Sequence, residues 1–385
     1  MGFTTIEAAE NEHVSSCITQ KPDLSIVTIN DLHKTPISAQ VRSEIIRGFL
    51  HQNPSVRGKH STLDWDTYFV YYTKQCIQAL HDRGRHVSVR THQDILDIIY
   101  HLEDLSTKDA IKTILKPKLT APKSEKEAET LLEGSINLAA RLLLMMDIGV
   151  HPLGFSGRRE LNWSEGSLKD FVHKHFEQPQ VLRHENIKLE KIFTARNLDR
   201  MTGIKIEWTD NIAEHLRIVG DEDKKVAIFH YASFLKRHKR YSYLFIILRN
   251  LANFHSQIFP KGLIEETLNT LALLFPSSDK YTEQWLSKLP EEVDNEVTKC
   301  GQLRAEKRQI ENFKFWHDRL IILKQVFDQS RPATLKQWWL DRRNGVQWYT
   351  FWVAVLVLFL TVFFGIIQSI EGALQVYKAY YPTTL

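Results

Sequence analysis

Residues 349–370 read YTFWVAVLVLFLTVFFGIIQSI, a run of 22 residues without a charge. As an α-helix rising ~1.5 Å per residue it is ~33 Å long, enough to cross a hydrocarbon core of ~30 Å. The buried helix of a soluble domain is shorter and less uniformly apolar. Trp338, Trp339, Trp348, Tyr349 and Trp352 crowd the entry to this run, and Tyr377, Tyr380 and Tyr381 lie beyond its exit. Rings with one apolar and one polar edge settle at headgroup depth, and four of the nine tryptophans fall between positions 338 and 352. Lys336, Arg342 and Arg343 stand before the run, while only Lys378 stands after it, beside Glu371. That bias places the amino-terminal side in the cytosol.

The opening MGFTTIEAAENEHVSSC has no basic start leading into an apolar stretch, so no signal peptide is expected. Gly2 suggests myristoylation, but Ile6 occupies the position that needs Ser or Thr. The expected topology is therefore tail-anchored and single-pass. A cytosolic body of some 348 residues is held by a transmembrane helix at 348–371, with a short luminal tail at 372–385, in the endoplasmic reticulum or another internal membrane.

With 385 residues, 43% of them hydrophobic, the chain has material for one large or two smaller domains before the anchor. The net charge of +4 is weak for this length and implies no nucleic-acid partner, and no nucleic-acid-binding motif is present. Cys17, Cys76 and Cys300 are odd in number and far apart. They fit reduced thiols, against a disulfide scaffold or a clustered zinc site.

The pattern along the chain predicts a mainly α, multi-helix body with a small inserted β element. Residues 1–36 are polar and read as a flexible segment. In the helical region 37–122, Val41, Ile45, Ile46 and Phe49 share one face, and a second helix opens near Asp64 with Phe69, Tyr72, Cys76 and Leu80. A third starts at Thr91 with Ile95, Ile98, Ile99 and Leu102, and helical character returns over 111–115. An α-rich core with a small sheet spans 123–290. Ser124 and Glu127 form a capping box for a helix to about Met146, and another helix covers about 167–176. Alternation predicts strands at about 204–209 and 225–231, with Asn211 capping a short helix between them. Without a βαβ series, a doubly wound sheet is not expected. Residues 232–254 and 263–275 read as helical. The last region, 291–347, reads as one long helix over 291–329 and a juxtamembrane connector. Phe313, Trp316, Leu320, Leu323 and Phe327 repeat over about two heptads, short of a convincing coiled coil, so packing on the body is favoured over self-association.

Catalytic signatures are sparse. The chain has no Walker A loop and no GxGxxG, and His184-Glu185 lacks the second histidine of a zinc-protease helix. On a helix, His173 and His175 point ~200° apart and cannot share a metal. Gly154-Phe155-Ser156-Gly157 has the wrong spacing for a nucleophile elbow, and with Arg158 and Arg159 it reads as a polar loop rather than an anion nest. Asp94, Asp97, Glu103 and Asp104 fall on a solvated face or at a helix end. Asn162-Trp163-Ser164 is a sequon that a cytosolic body leaves unmodified.

Lys236, Arg237, Lys239 and Arg240, abutting an apolar run, read as the solvated end of a core helix, with contact to an anionic leaflet as the alternative. Gly365, Gln368, Ser369 and Gly372 offer a stripe for packing between anchors. No catalytic residue, metal ligand or cofactor is assigned.

Residues 132–144 (LEGSINLAARLLL), 206–217 (IEWTDNIAEHLR) and the closing Trp348-Tyr-Thr-Phe-Trp352 with 371–380 (EGALQVYKAY) resemble a family of uncharacterised membrane proteins of filamentous fungi. The resemblance covers roughly 125–380. It implies a fungal source and one carboxy-terminal span, and carries no activity.

The sequence thus points to a membrane-anchored protein whose body meets a protein partner or itself at the bilayer surface. A tethered enzyme acting on a lipid or hydrophobic metabolite, and a membrane-perturbing homo-oligomer, are the alternatives.

Overall fold

The computed structural model describes residue 32 and residues 37–50, 65–104, 106–119, 124–150, 161–182, 186–220, 224–239, 258–289, 293–330, 334–341, 343 and 345–381. The amino-terminal segment expected to be flexible, apart from Leu32, the loop at Gly154 and the pair His184-Glu185 lie outside these residues, as does the apolar run after Arg240. Leu32 is buried, and its N–H donates to Arg90 O at 3.0 Å.

The chain folds into a mainly α body with one small sheet and one long carboxy-terminal helix. In its first part, α1 (Ala39–Leu50), α2 (Asp66–Ala79), α3 (His92–Glu103) and α4 (Lys108–Leu115) gather around α5 (Glu125–Leu144). Thr91 caps α3 in a complete capping box with Asp94, and Ser124 Oγ accepts the Glu127 N–H at 3.1 Å to start α5. From Ser135 onward nearly every side chain of α5 is buried, on all its faces, which makes it the axis of the core. Two tyrosines of α2 hold its last turn. Tyr68 Oη donates to Leu142 O at 2.8 Å, a carbonyl near the helix end, and Tyr71 Oη donates at 3.0 Å to Arg141 O, which also accepts the Met145 N–H at 2.8 Å. Gly134 admits a close crossing, since a Cβ there would stand 1.9 Å from His86 O.

The sheet has order β1 (Lys205–Thr209), β3 (Lys225–Phe229), β2 (Ile218–Val219). β1 and β3 run parallel, with Thr209 opposite Phe229, and β2 pairs antiparallel on the other edge of β3. The two longer strands stand where alternation predicts them. β2, with two residues, is too short to leave a pattern. Asn211 Oδ1 accepts the Ala213 N–H at 3.0 Å, so the predicted cap between the strands is present on a single 3₁₀ turn. The other helices of this part are α6 (Leu168–Phe176), α7 (Ala195–Thr202), which packs on β1, a helical segment at 232–239, α8 (Leu263–Leu274), α9 (Lys280–Leu286) and α10 (His317–Gln329).

The long helix expected over 291–329 is corrected. Of the described residues in that range, only His317–Gln329 are α-helical, and 293–316 are an irregular strap with three 3₁₀ turns. Tertiary hydrogen bonds compete successfully for its backbone. Leu189 N–H donates to Arg308 O and Ile310 N–H to Ile187 O. The buried Glu266 carboxylate of α8 accepts the N–H groups of Lys314, Phe315 and Trp316 at 2.7–2.8 Å. Gly301, at φ 98°, occupies a conformation no helix contains. The heptad-like Phe313, Trp316, Leu320, Leu323 and Phe327 are all buried within the body, so this seam packs internally.

After α10 come α11 (Leu335–Leu340) and α12 (Gly345–Tyr380). α12 continues nine residues past the span expected to end at 371.

Candidate functional site

The uncharged run lies inside α12. Its residues 348–380 form a helix long and apolar enough to cross a membrane, and none of its most apolar stretch is covered by the body. A core helix of the same composition would be covered, as α5 is. At roughly 25 cal/mol per Å² of apolar surface, leaving such a helix in water is strongly unfavourable.

The root of α12 is built by α11. Thr334 and Gln337 form a full capping box, so this six-residue helix has a defined start. The Trp338 ring stacks on Phe351 with centroids 4.7 Å apart and planes 14° apart, and Trp339 meets Trp352 edge-on at 4.8 Å. Trp348 Nε1 donates to Trp339 O at 3.2 Å. The predicted interfacial tryptophans therefore form one aromatic cluster linking two helices. Its outer side leaves Leu335 69%, Trp339 54% and Tyr349 67% exposed, apolar surface on α11 and the first turns of α12.

Arg343, expected at the membrane interface, is engaged by the body. Its guanidinium donates to Phe327 O and Ser330 O, the carbonyls at the end of α10, and pairs in two prongs with Asp341. It also lies 4.8 Å from the centre of the Phe327 ring. A cation at a helix carboxy end meets the negative pole of its dipole. Burial pushes the Asp341 carboxyl up, but hydrogen bonds from Arg343 and its charge outweigh this and hold it below the usual carboxylate range. Arg342 and the Lys336 side chain lie outside the described residues. α11 packs on α7 as well, with Gln337 Nε2 filling the space over Gly203. The root is thus bolted to the body at two places.

The basic run is engaged internally. Lys236 Nζ bonds Glu296 Oε2 at 2.7 Å, Glu296 O at 3.1 Å and Lys299 O at 3.1 Å, and Lys239 reaches Glu265 at 3.1 Å. Arg237 is half-buried, and Arg240 lies outside the described residues. In α12, a Cβ added to Gly365 or Gly372 would meet open space. Ser369 Oγ donates to Gly365 O within the helix at 2.8 Å, and Gln368 is exposed.

One arrangement resembles hydrolase chemistry. Asp294 accepts from Ser233 Oγ at 2.9 Å and from Ser233 N–H at 2.7 Å, while its own N–H donates to His230 Nδ1 at 3.3 Å. The hydroxyl faces the carboxylate and not the imidazole, so no base is aligned to take its proton. Burial pushes His230 down to about 4, leaving it neutral. The cluster pins the strap to the 232–239 helix. His215, pushed down to about 3 by burial and then by Arg319, accepts from Phe229 N–H through Nδ1 and so donates from Nε2 to Thr270 Oγ1. Of the described residues, the thiols of Cys76 and Cys300 are pushed up to about 12 by burial and are not reactive thiolates. Asp94 serves the α3 cap, Asp97 pairs with Lys118, and His173 lies 3.6 Å from Glu177. Among the described residues no group of His, Cys, Asp and Glu is placed to hold a metal ion.

No family model matches the chain, and neither a curated protein nor a solved structure matches it.

Proposed function

We propose that this chain is a single-pass membrane protein that presents its α-rich body, in a fixed pose, to a protein partner at the cytosolic face of a bilayer. The observation that carries the reading is an uncovered apolar helix whose aromatic root is clasped to the body through Arg343. A tether needing only proximity would do with a loose connector; a clasped one fixes which face of the body looks outward. Val70 and Ile77, two turns apart on α2 and more than half exposed, give the body an apolar stripe suited to protein contact. The fungal family that its segments resemble would share this plan.

The test is carbonate extraction and protease protection of microsomes from cells making the full chain. The protein should stay in the carbonate pellet, and protease should digest the body while sparing a short carboxy-terminal fragment. Release into the supernatant, or a protected body, would sink the reading. In mild detergent the particle should exceed the monomer mass, and V70D/I77D should return it to the monomer.

A further inference from the structure

Arg343 leaves the root short of a described cation that could meet a headgroup. Another part of the chain supplies two. Arg196 and Arg200 stand one turn apart on α7, the helix against which α11 packs. α11 in turn stacks on the first turns of α12, so α7 is one helix removed from the anchor. With packed helix axes about 8–10 Å apart, α7 lies within roughly 20 Å of the anchor axis.

Neither arginine has a carboxylate partner at ion-pair distance among the described residues. Arg196 lies over the exposed Tyr281 ring of α9 at 5.3 Å. Burial first, and then the charge of Arg200, lower its pKa against an upward pull from Asp279. The two cations stand four residues apart, on the same side of α7. Asp279, the acid that Arg196 feels, is engaged at the start of α9, where its oxygens accept from Tyr281 N–H at 3.0 Å and Thr282 Oγ1 at 2.6 Å. Two half-buried arginines on one helix face match the several oxygens of a phosphate.

We propose that Arg196 and Arg200 bind the phosphate of an anionic lipid headgroup in the leaflet where α12 enters the bilayer. The inference rests on the membrane reading above. It also identifies the cations at the root as residues about 140 positions before it, with Arg343 assigned to the body.

The test is native mass spectrometry of the full chain in a mild neutral detergent, with phosphatidic acid, phosphatidylcholine or glycerol phosphate added. Wild type should retain phosphatidic acid over phosphatidylcholine. R196Q/R200Q should lower that retention about thirtyfold, at about 1 kcal/mol per cation near the surface, while the exposed-charge control K126Q/K174Q leaves it unchanged. Each single Gln variant should lose about fivefold, and R200K, which keeps the charge without the planar fork, should lose less than R200Q. These milder variants carry the test if the double variant does not fold. Equal retention by wild type and the Gln variants overturns the proposal. Arginine-dependent retention of glycerol phosphate as strong as that of phosphatidic acid overturns it in favour of a soluble ligand. Failure of the chain to stay in the carbonate pellet defeats the membrane reading itself, whereas an integral protein without the lipid preference defeats only this inference.

Discussion

Asp341 holds Arg343 through Nε at 2.8 Å and Nη2 at 2.6 Å, so a carboxylate two residues away fixes the guanidinium beneath the end of α10. Both side chains are largely buried, at 11% and 15% exposure. Removing the charge of Asp341 leaves Arg343 bonded to carbonyls but uncompensated. D341N should cost about 1–3 kcal/mol, read as a lower melting temperature and as new protease cleavage between α10 and α12. The pH dependence has a definite sign. Because the folded carboxyl lies below its unfolded value of ~3.9, the clasp contributes fully above that pH and is lost as pH falls through the folded value. The variant should erase this part of the acid response.

The clasp also makes a prediction about where the body ends. A chain cut after Asn344 keeps α11 and Arg343, whereas one cut after Ala333 loses both. Both should remain in the supernatant at high salt, but the shorter should melt lower, by the equivalent of about 1–3 kcal/mol. Equal melting temperatures would show that the connector adds nothing to the body.

Buried neutral histidines set a second pH response. His215 and His230 are pushed down to about 3 and about 4, below the ~6.5 of an unfolded histidine. The unfolded chain binds their protons first, so stability is full above pH ~6.5 and falls as pH drops from there toward the folded values. Each contributes up to about 1.4 kcal/mol per pH unit. Urea midpoints measured between pH 7 and pH 4 should fall with acid. H230Q should reduce the slope.

Lys236 separates a structural from a surface role for the basic run. Its ammonium makes three bonds to the strap, with 23% of the side chain exposed. K236Q should destabilise the body by about 1–2 kcal/mol, while K239Q, whose ion pair is half exposed, should stay within about 0.5 kcal/mol. Chemical denaturation of the two variants is the check.

Among the described residues Lys108 is the most enclosed lysine, with Nζ 2.6 Å from both Glu133 Oε1 and Trp163 O. Burial is the main cause of its lowered pKa. K108A should cost about 1–3 kcal/mol, because the Trp163 carbonyl loses its donor and the emptied stem leaves a void. K108M, which keeps the stem, should cost less. The difference, measured by urea denaturation, separates packing from hydrogen bonding.

Much of this was legible locally. Thr91, Ser124 and Asn211 mark helix starts because capping is written within a few residues, and the alternation at 205–209 and 225–229 marks strands for the same reason. The strap at 293–316 misled because its decisive partner, Glu266, acts from about 50 residues away and cancels a local helical tendency. Arg343 looked like a flanking charge because sequence distance to the apolar run is visible, whereas its folding back onto Phe327 and Ser330 is not. Arg196 and Arg200 carried no signal, since their nearness to the root arises only when α11 packs on α7.

The helix over 348–380 is ~50 Å long at ~1.5 Å per residue, while its uncharged part, 349–370, is ~33 Å, close to a hydrocarbon core of ~30 Å. The last ten residues, with Glu371 and Lys378, continue the same helix beyond the apolar run. At its other end the helix is joined through α11 to α7 and through Arg343 to α10, with no floppy connector between. In a bilayer such a helix would act as a lever: any tilt of it would swing the body as well.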